Sequence, residues 1–186
     1  MEGFMEILQR EMDKRRKSRG LSNKTRIRGR VIAEVFGADG KLKQRSVMHN
    51  IVTDEGDAAI VDMLATTGTQ TAFNNANAYI EVGTGYAGGA KAQASCATPT
   101  GSPEAMDATY PMQKGAFGAA NDNVLVFKST FEAGDLNDTG IDEAAILNNV
   151  TAGSADALAY AEITPAVNVG ASDTLAITWE ITFLGA

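Results

Sequence analysis

The sequence predicts a mainly β protein: an antiparallel β-sandwich with Greek-key or jelly-roll-like connections, one internal helix, and a helical, basic arm at the N-terminus. Three observations predict it. Residues 174–184 alternate Leu175, Ile177, Trp179, Ile181 and Phe183 with Thr174, Ala176, Thr178, Glu180 and Thr182, a period of two that gives a strand one apolar and one polar face. Several further apolar runs of strand length are separated by Gly, Pro, Asn and Asp. Only one internal segment carries helix start signals, so helices do not alternate with strands as a parallel α/β fold requires.

The arm comes first. Phe4, Ile7, Leu8 and Met12 recur at helical spacing and make one apolar stripe, followed by Lys14, Arg15, Arg16, Lys17 and Arg19, with Gly20 as a stop. A lone helix of this length is marginal in water and needs a surface to pack on. Net charge is −7, yet the first thirty residues hold ten Lys/Arg against four Asp/Glu. The remainder holds six against nineteen. Residues 1–29 therefore read as a docking arm and residues 30–186 as the β-domain. The expected partner-binding residues are Phe4, Ile7, Leu8, Met12, Lys14, Arg15, Arg16, Lys17 and Arg19, gripping a neighbouring protein that offers an apolar groove beside acidic groups. Nucleic acid is the less favoured target, because no aromatics interleave with the charges.

Within the domain, residues 30–36 and 42–52 read as a hairpin around the turn Gly37-Ala38-Asp39-Gly40. A helix follows, capped by Thr53, with Asp54, Glu55 and Asp57 in its first turn, Ile60, Val61, Met63 and Leu64 as its expected buried side, and Gly68 as its end. Residues 78–82 read as a strand. Residues 84–120, rich in Gly, Ala, Ser, Thr and Pro, read as a long loop excursion. Strands are expected at 124–132, at 141–147, at 157–164 (ended by Pro165) and at 174–184.

Four of these segments together resemble a set of tailed-bacteriophage virion structural proteins. Asn50-Ile51-Val52-Thr53-Asp54-Glu55-Gly56 resembles their "NLVTxxG" opening, and Tyr79-Ile80-Glu81-Val82-Gly83-Thr84-Gly85 their "YIAVGTG" strand. Phe131 to Asn137 with Ile141 to Asn148 resembles "F…GEAN…I.EAGLFN". Asp173-Thr174-Leu175-Ala176-Ile177-Thr178-Trp179-Glu180-Ile181-Thr182-Phe183 resembles "DTLTVTWEITF". Order and approximate spacing match over residues 30–186. The resemblance implies a head-, neck- or tail-associated structural protein, assembled in the bacterial cytoplasm into the virion, with other virion proteins as partners and no catalysis or cofactor. The long loop after Gly85 is expanded relative to the short "TTAPA" linker of that pattern, and the arm, residues 1–29, has no counterpart in it.

The chemistry-bearing residues weigh toward plain roles. Gly83-Thr84-Gly85 lacks the register of a phosphate loop and reads as a turn. Asp135, Asn137, Thr139 and Gly140 match the start of an EF-hand loop, but position twelve is Ile146, leaving Asp135, Asp138 and Asp142 as weak candidate calcium ligands. His49 is the single histidine; Ser46 and Asp54 offer it no triad, so it reads as a strand-surface residue. Asp142 and Glu143 are adjacent on a strand and are expected on opposite faces, unlike a glycosidase pair. Trp179 sits in the core register. Cys96 is the single cysteine, so no intrachain disulfide forms, and it reads as a bystander thiol. No apolar run reaches 18 residues, and Glu2, Glu6 and Glu11 interrupt anything like a signal peptide.

Three function classes follow. The first is a self-associating structural module, a capsid decoration, neck or tail accessory protein anchored by its arm. The alternative is a receptor- or glycan-binding module on the virion that uses loop 84–120, with Tyr86, Tyr110 and Phe117 as its aromatics. An enzyme is the least supported.

Overall fold

A computed structural model describes residues 26–65, 68, 71–151 and 156–184. The arm residues Phe4, Ile7, Leu8, Met12, Lys14, Arg15, Arg16, Lys17 and Arg19 lie outside the described residues. The strands are β1 (Arg26–Phe36), β2 (Leu42–Val52), β3 (Tyr79–Gly83), β4 (Pro99–Ala105), β5 (Met112–Gln113), β6 (Val124–Phe131), β7 (Asp138–Leu147), β8 (Ala157–Val169) and β9 (Thr174–Leu184). One helix, α1 (Asp54–Ala65), stands between β2 and β3. The mainly β, antiparallel architecture with one internal helix is thus present among the described residues. Arg26, Arg28 and Arg30 are strand residues, so the first strand extends four residues further back than the expected 30–36.

Hydrogen bonding links all nine strands into a single sheet in the order β4-β3-β7-β8-β2-β1-β9-β6-β5. Every named pair is antiparallel. The sheet curls until its two ends meet. Asp107, just past β4, donates its backbone N–H to Lys128 O on β6 (2.8 Å) and accepts from Thr130 Oγ1 (3.0 Å). Ser129 Oγ reaches Glu104 O at 3.3 Å. The edge strand β4 carries Pro99 and Pro103, residues that cannot donate to a further strand.

The concave side holds the core. On β9, Leu175, Ile177, Trp179 and Ile181 are all at most 2% exposed. They stand opposite Phe131, Ser129, Phe127 and Leu125 of β6, and opposite Val35, Ala33, Val31 and Gly29 of β1. The Trp179 indole N–H donates to Asn50 Oδ1 on β2 (2.9 Å), which satisfies the one polar atom of the largest core side chain.

Three local expectations change. Strand β8 does not stop at Pro165; it continues to Val169 after an irregularity in its pairing with β7, and Ser46 Oγ holds Pro165 O at 2.6 Å. Residues 84–120 are not structureless. They contain β4 and β5, and the stretch before β4 lies on the convex face. Helix α1 buries Gly56 and Ala59, while Val61, Met63 and Leu64 are 64, 67 and 83% exposed. Its apolar residues run around the helix, and the side that docks is the one whose small residues allow close approach. The expected Thr53 cap is present: Gly56 N–H donates to Thr53 Oγ1 at 3.0 Å.

Candidate functional site

The polar groups that depart furthest from ordinary strand chemistry gather on the convex face, where β3, β7 and β8 lie side by side. Glu81 on β3 stands opposite Ala145 on β7, and Ala145 in turn stands opposite Tyr160 on β8. Glu143 belongs to the same face, two residues along β7. Between Ile141 and Glu143 the ladder shifts register. Ile141 and Ala144, three apart, both join the concave core. The extra residue brings Asp142 to the same loop as Glu143, so the opposite-face expectation for this pair fails at a bulge.

Both carboxylates are committed to the loop that covers them. Glu143, fully buried, accepts backbone N–H groups from Gly85 (3.2 Å) and Thr98 (2.8 Å) at Oε1 and from Ala97 (2.8 Å) at Oε2. The Tyr160 hydroxyl also donates to Oε2. Asp142 Oδ1 accepts from Tyr86 N–H at 3.1 Å. Glu81, 1% exposed, accepts from Cys96 N–H at 2.7 Å through Oε2. Five backbone donors of loop 84–98, those of Gly85, Tyr86, Cys96, Ala97 and Thr98, are thus satisfied by three acidic side chains instead of a strand ladder. Gly83 permits the approach: a Cβ there would collide with Glu143 Oε1 and with Thr98 O.

A small apolar cluster completes the cover. Cys96, Ala145, Leu147, Ala157 and Tyr160 pack together, and the Tyr86 ring stacks on Tyr160 at 5.7 Å between centroids. Burial, with the nearby Glu81 and Glu143 charges, holds the Cys96 thiol well above its usual range. Burial and the Glu143 hydrogen bond likewise raise the Tyr160 phenol, which stays a donor. At the far side of the loop, Lys91 O accepts Asp54 N–H (2.8 Å) and its ammonium pairs with Asp57 and, at 3.7 Å, Asp54. The loop is therefore stitched to the start of α1 as well.

Glu81 makes a pH-dependent contribution. Burial raises its carboxyl above the ordinary value of 4.5, with only partial relief from Cys96, and Oε1 has no hydrogen-bond partner among the described residues. The folded chain binds that proton more tightly than the unfolded chain. The associated stability is fully present below the ordinary carboxyl range and is lost as pH rises through the raised value. Glu81→Gln keeps an acceptor for Cys96 N–H and removes the charge. Urea unfolding should show it about 1 kcal/mol more stable than the parent near pH 8, with the difference gone near pH 4. Equal stability at both pH values would remove the assignment.

The remaining candidates separate. Asp135 Oδ2 accepts Glu132 N–H (2.7 Å), Asp138 accepts the Thr100 hydroxyl and Asp142 holds Tyr86, so the three suggested calcium ligands serve three different partners. Among the described residues no three His, Cys, Asp or Glu side chains are placed to share a metal ion. His49 lies exposed on β2, with Nδ1 3.2 Å from Gly29 O. Of the aromatics assigned to loop 84–120, Tyr86 is stacked on Tyr160, Tyr110 packs on the core and only Phe117, 95% exposed, faces solvent. Among the described residues no helix is long and apolar enough to cross a membrane.

Sequence reasoning missed the roles of Glu81 and Lys91, and weighed Glu143 only as half of a glycosidase pair. A signal existed for the two acids: Glu81 is a lone acid inside the apolar strand run Tyr-Ile-Glu-Val, and Glu143 opens the apolar run Glu-Ala-Ala-Ile-Leu. No family model matches the chain, and neither curated proteins nor solved structures give a match.

Proposed function

We propose that the chain is a non-enzymatic structural component of a tailed-phage virion, a capsid decoration, neck or tail accessory subunit. It self-associates and docks on other virion proteins through its N-terminal arm, a helix followed by a cationic extension. On this view the curled sheet acts as the two facing walls of a jelly-roll-like sandwich.

One observation carries the proposal: the four phage-like segments coincide with the parts that hold the fold together. Residues 50–56 supply Asn50, the acceptor for Trp179, and Thr53, the cap of α1. Residues 79–85 supply Glu81 and the close approach at Gly83, and residues 141–148 supply Glu143. Residues 173–183 supply the core strand β9 and Asp173, which pairs with Lys43 at 2.6 Å. A resemblance confined to such positions is what a shared scaffold would leave. The buried acids hold the protein's own backbone, a use that favours a rigid building block over a reaction centre.

Removal of residues 1–25 tests the docking claim. The shortened chain should keep the circular dichroism and cooperative unfolding of a β-domain, yet be missing from particles assembled in its presence. Incorporation at the level of the full chain would overturn the proposal.

A further inference from the structure

One groove on the domain is left lined by apolar side chains. It runs between α1, residues 72–75 and the β6/β9 end of the sheet, with a volume of about 280 Å³, and Ile60, Met63, Phe73, Leu125 and Phe183 line it. A second hollow of about 240 Å³ shares Met63, Ala72 and Phe73 with it and adds Asp62. The exposed Met63 and Leu64 extend the apolar surface along the helix.

We infer that in the free subunit this groove is occupied by the chain's own residues Phe4, Ile7, Leu8 and Met12. The inference rests on the reading of the N-terminal residues as a docking arm, and it adds where the apolar stripe resides before a neighbour is engaged.

Position argues first. Arg26, where β1 begins, is paired with Leu184, and Ile27 with Phe183. Phe183 is itself a groove residue. The arm therefore leaves the domain at the groove's rim. Residues 13–25 extend to roughly 45 Å at most, ample for the stripe to turn back. Concentration argues second. A segment tethered by a short linker meets its own site at an effective concentration of about a millimolar, far above a neighbour's arm at micromolar protein. Charge argues third. Helix α1 carries Asp54, Glu55, Asp57 and Asp62, with Lys91 set against Asp54 and Asp57 and no base in its own last turn, while Arg10, Lys14, Arg15, Arg16 and Lys17 flank the stripe. Docking the stripe sets those bases beside the acidic helix and leaves the cationic run near the surface, where a partner can reach it.

The test uses the full chain with Cys96→Ala, Leu8→Cys and Met63→Cys, oxidised by copper phenanthroline at low micromolar protein. A disulfide forms only if the two backbones come within about 7 Å. The expected product is a monomer with an internal link between residues 8 and 63, read by non-reducing gel and peptide mass. Adding Ile7→Asp should slow its formation at least tenfold. A control pair, Leu8→Cys with Lys41→Cys at the opposite end of β1, should link no faster than that Ile7→Asp chain. A linked dimer instead of a monomer would place the arm on a second copy and overturn the inference. Linking no faster than the control pair would overturn it too. Every result is read on the free subunit, whereas the docking role is judged by particle incorporation of the shortened chain, so either can fail alone.

Discussion

Glu143→Ala should cost about 3–5 kcal/mol of stability, the largest single loss expected from any polar residue on the convex face. Alanine leaves the N–H groups of Gly85, Ala97 and Thr98 and the Tyr160 hydroxyl without their common acceptor. A buried unsatisfied donor costs roughly 1–3 kcal/mol, so four together exceed what holding loop 84–98 in place can return. The loop should lift and let water in, which sets the ceiling on the loss. Guanidinium unfolding gives the magnitude. Hydrogen exchange should show Gly85, Ala97 and Thr98 losing protection while the β9 amides, on the other side of the sheet's curl, keep theirs. Tyr160→Phe is the contrast, because it removes one donor and leaves the carboxylate three; about 1 kcal/mol is expected. If Glu143→Ala cost no more than Tyr160→Phe, the clamp would not be what holds the loop.

Gly56→Ala should destabilise the protein by about 1–3 kcal/mol, against the direction of helix propensity. In an open helix the change from glycine to alanine gains up to about 1 kcal/mol. Here a Cβ would collide with Leu158 O, lie 3.0 Å from that carbonyl carbon and 3.0 Å from Val52 Cγ1. Leu158 O is backbone of β8 and accepts Thr53 N–H at 3.2 Å, so it cannot swing aside as a side chain would. The helix must move off the sheet, weakening the Thr53 bonds and the apolar wall formed by Ile60 and Met63. Thermal unfolding measures the loss, and increased binding of an apolar dye would report the displaced helix. A stabilised variant would mean that α1 floats on its contacts.

How much of this was legible depends on how local each cause is. Strand β9 was legible to the residue, because one buried face writes period two directly into Leu175, Ile177, Trp179 and Ile181. Thr53 was legible because a cap is a relation between residues three apart. The docking face of α1 was not. Apolar residues encircle the helix, and the choice between Gly56/Ala59 and Val61/Leu64 is made by Leu158, a residue about a hundred positions away. Strand β8 beyond Pro165 was hidden because proline reads as a stop unless the ladder is known to break there. Glu143 was the hardest. Its role is defined by donors from residues 85, 97, 98 and 160, and an acid on a strand reads by default as solvent-facing. The arm's apolar stripe and cationic run were plain in the sequence, but a periodicity names a face without naming what it meets.

Cys96 gives the domain a clock. The residue belongs to loop 84–98, is 3% exposed, packs with Ala145 and Tyr160 beside Glu81, and sits in surroundings that disfavour the thiolate. An alkylating reagent can reach it only in the fraction of time the cover is open. As the single thiol in the chain, it would turn the labelling rate of the intact protein into a direct count of opening events, with no engineered probe. Compared between free subunits and assembled ones, that count would show whether association tightens the cover over β3, β7 and β8.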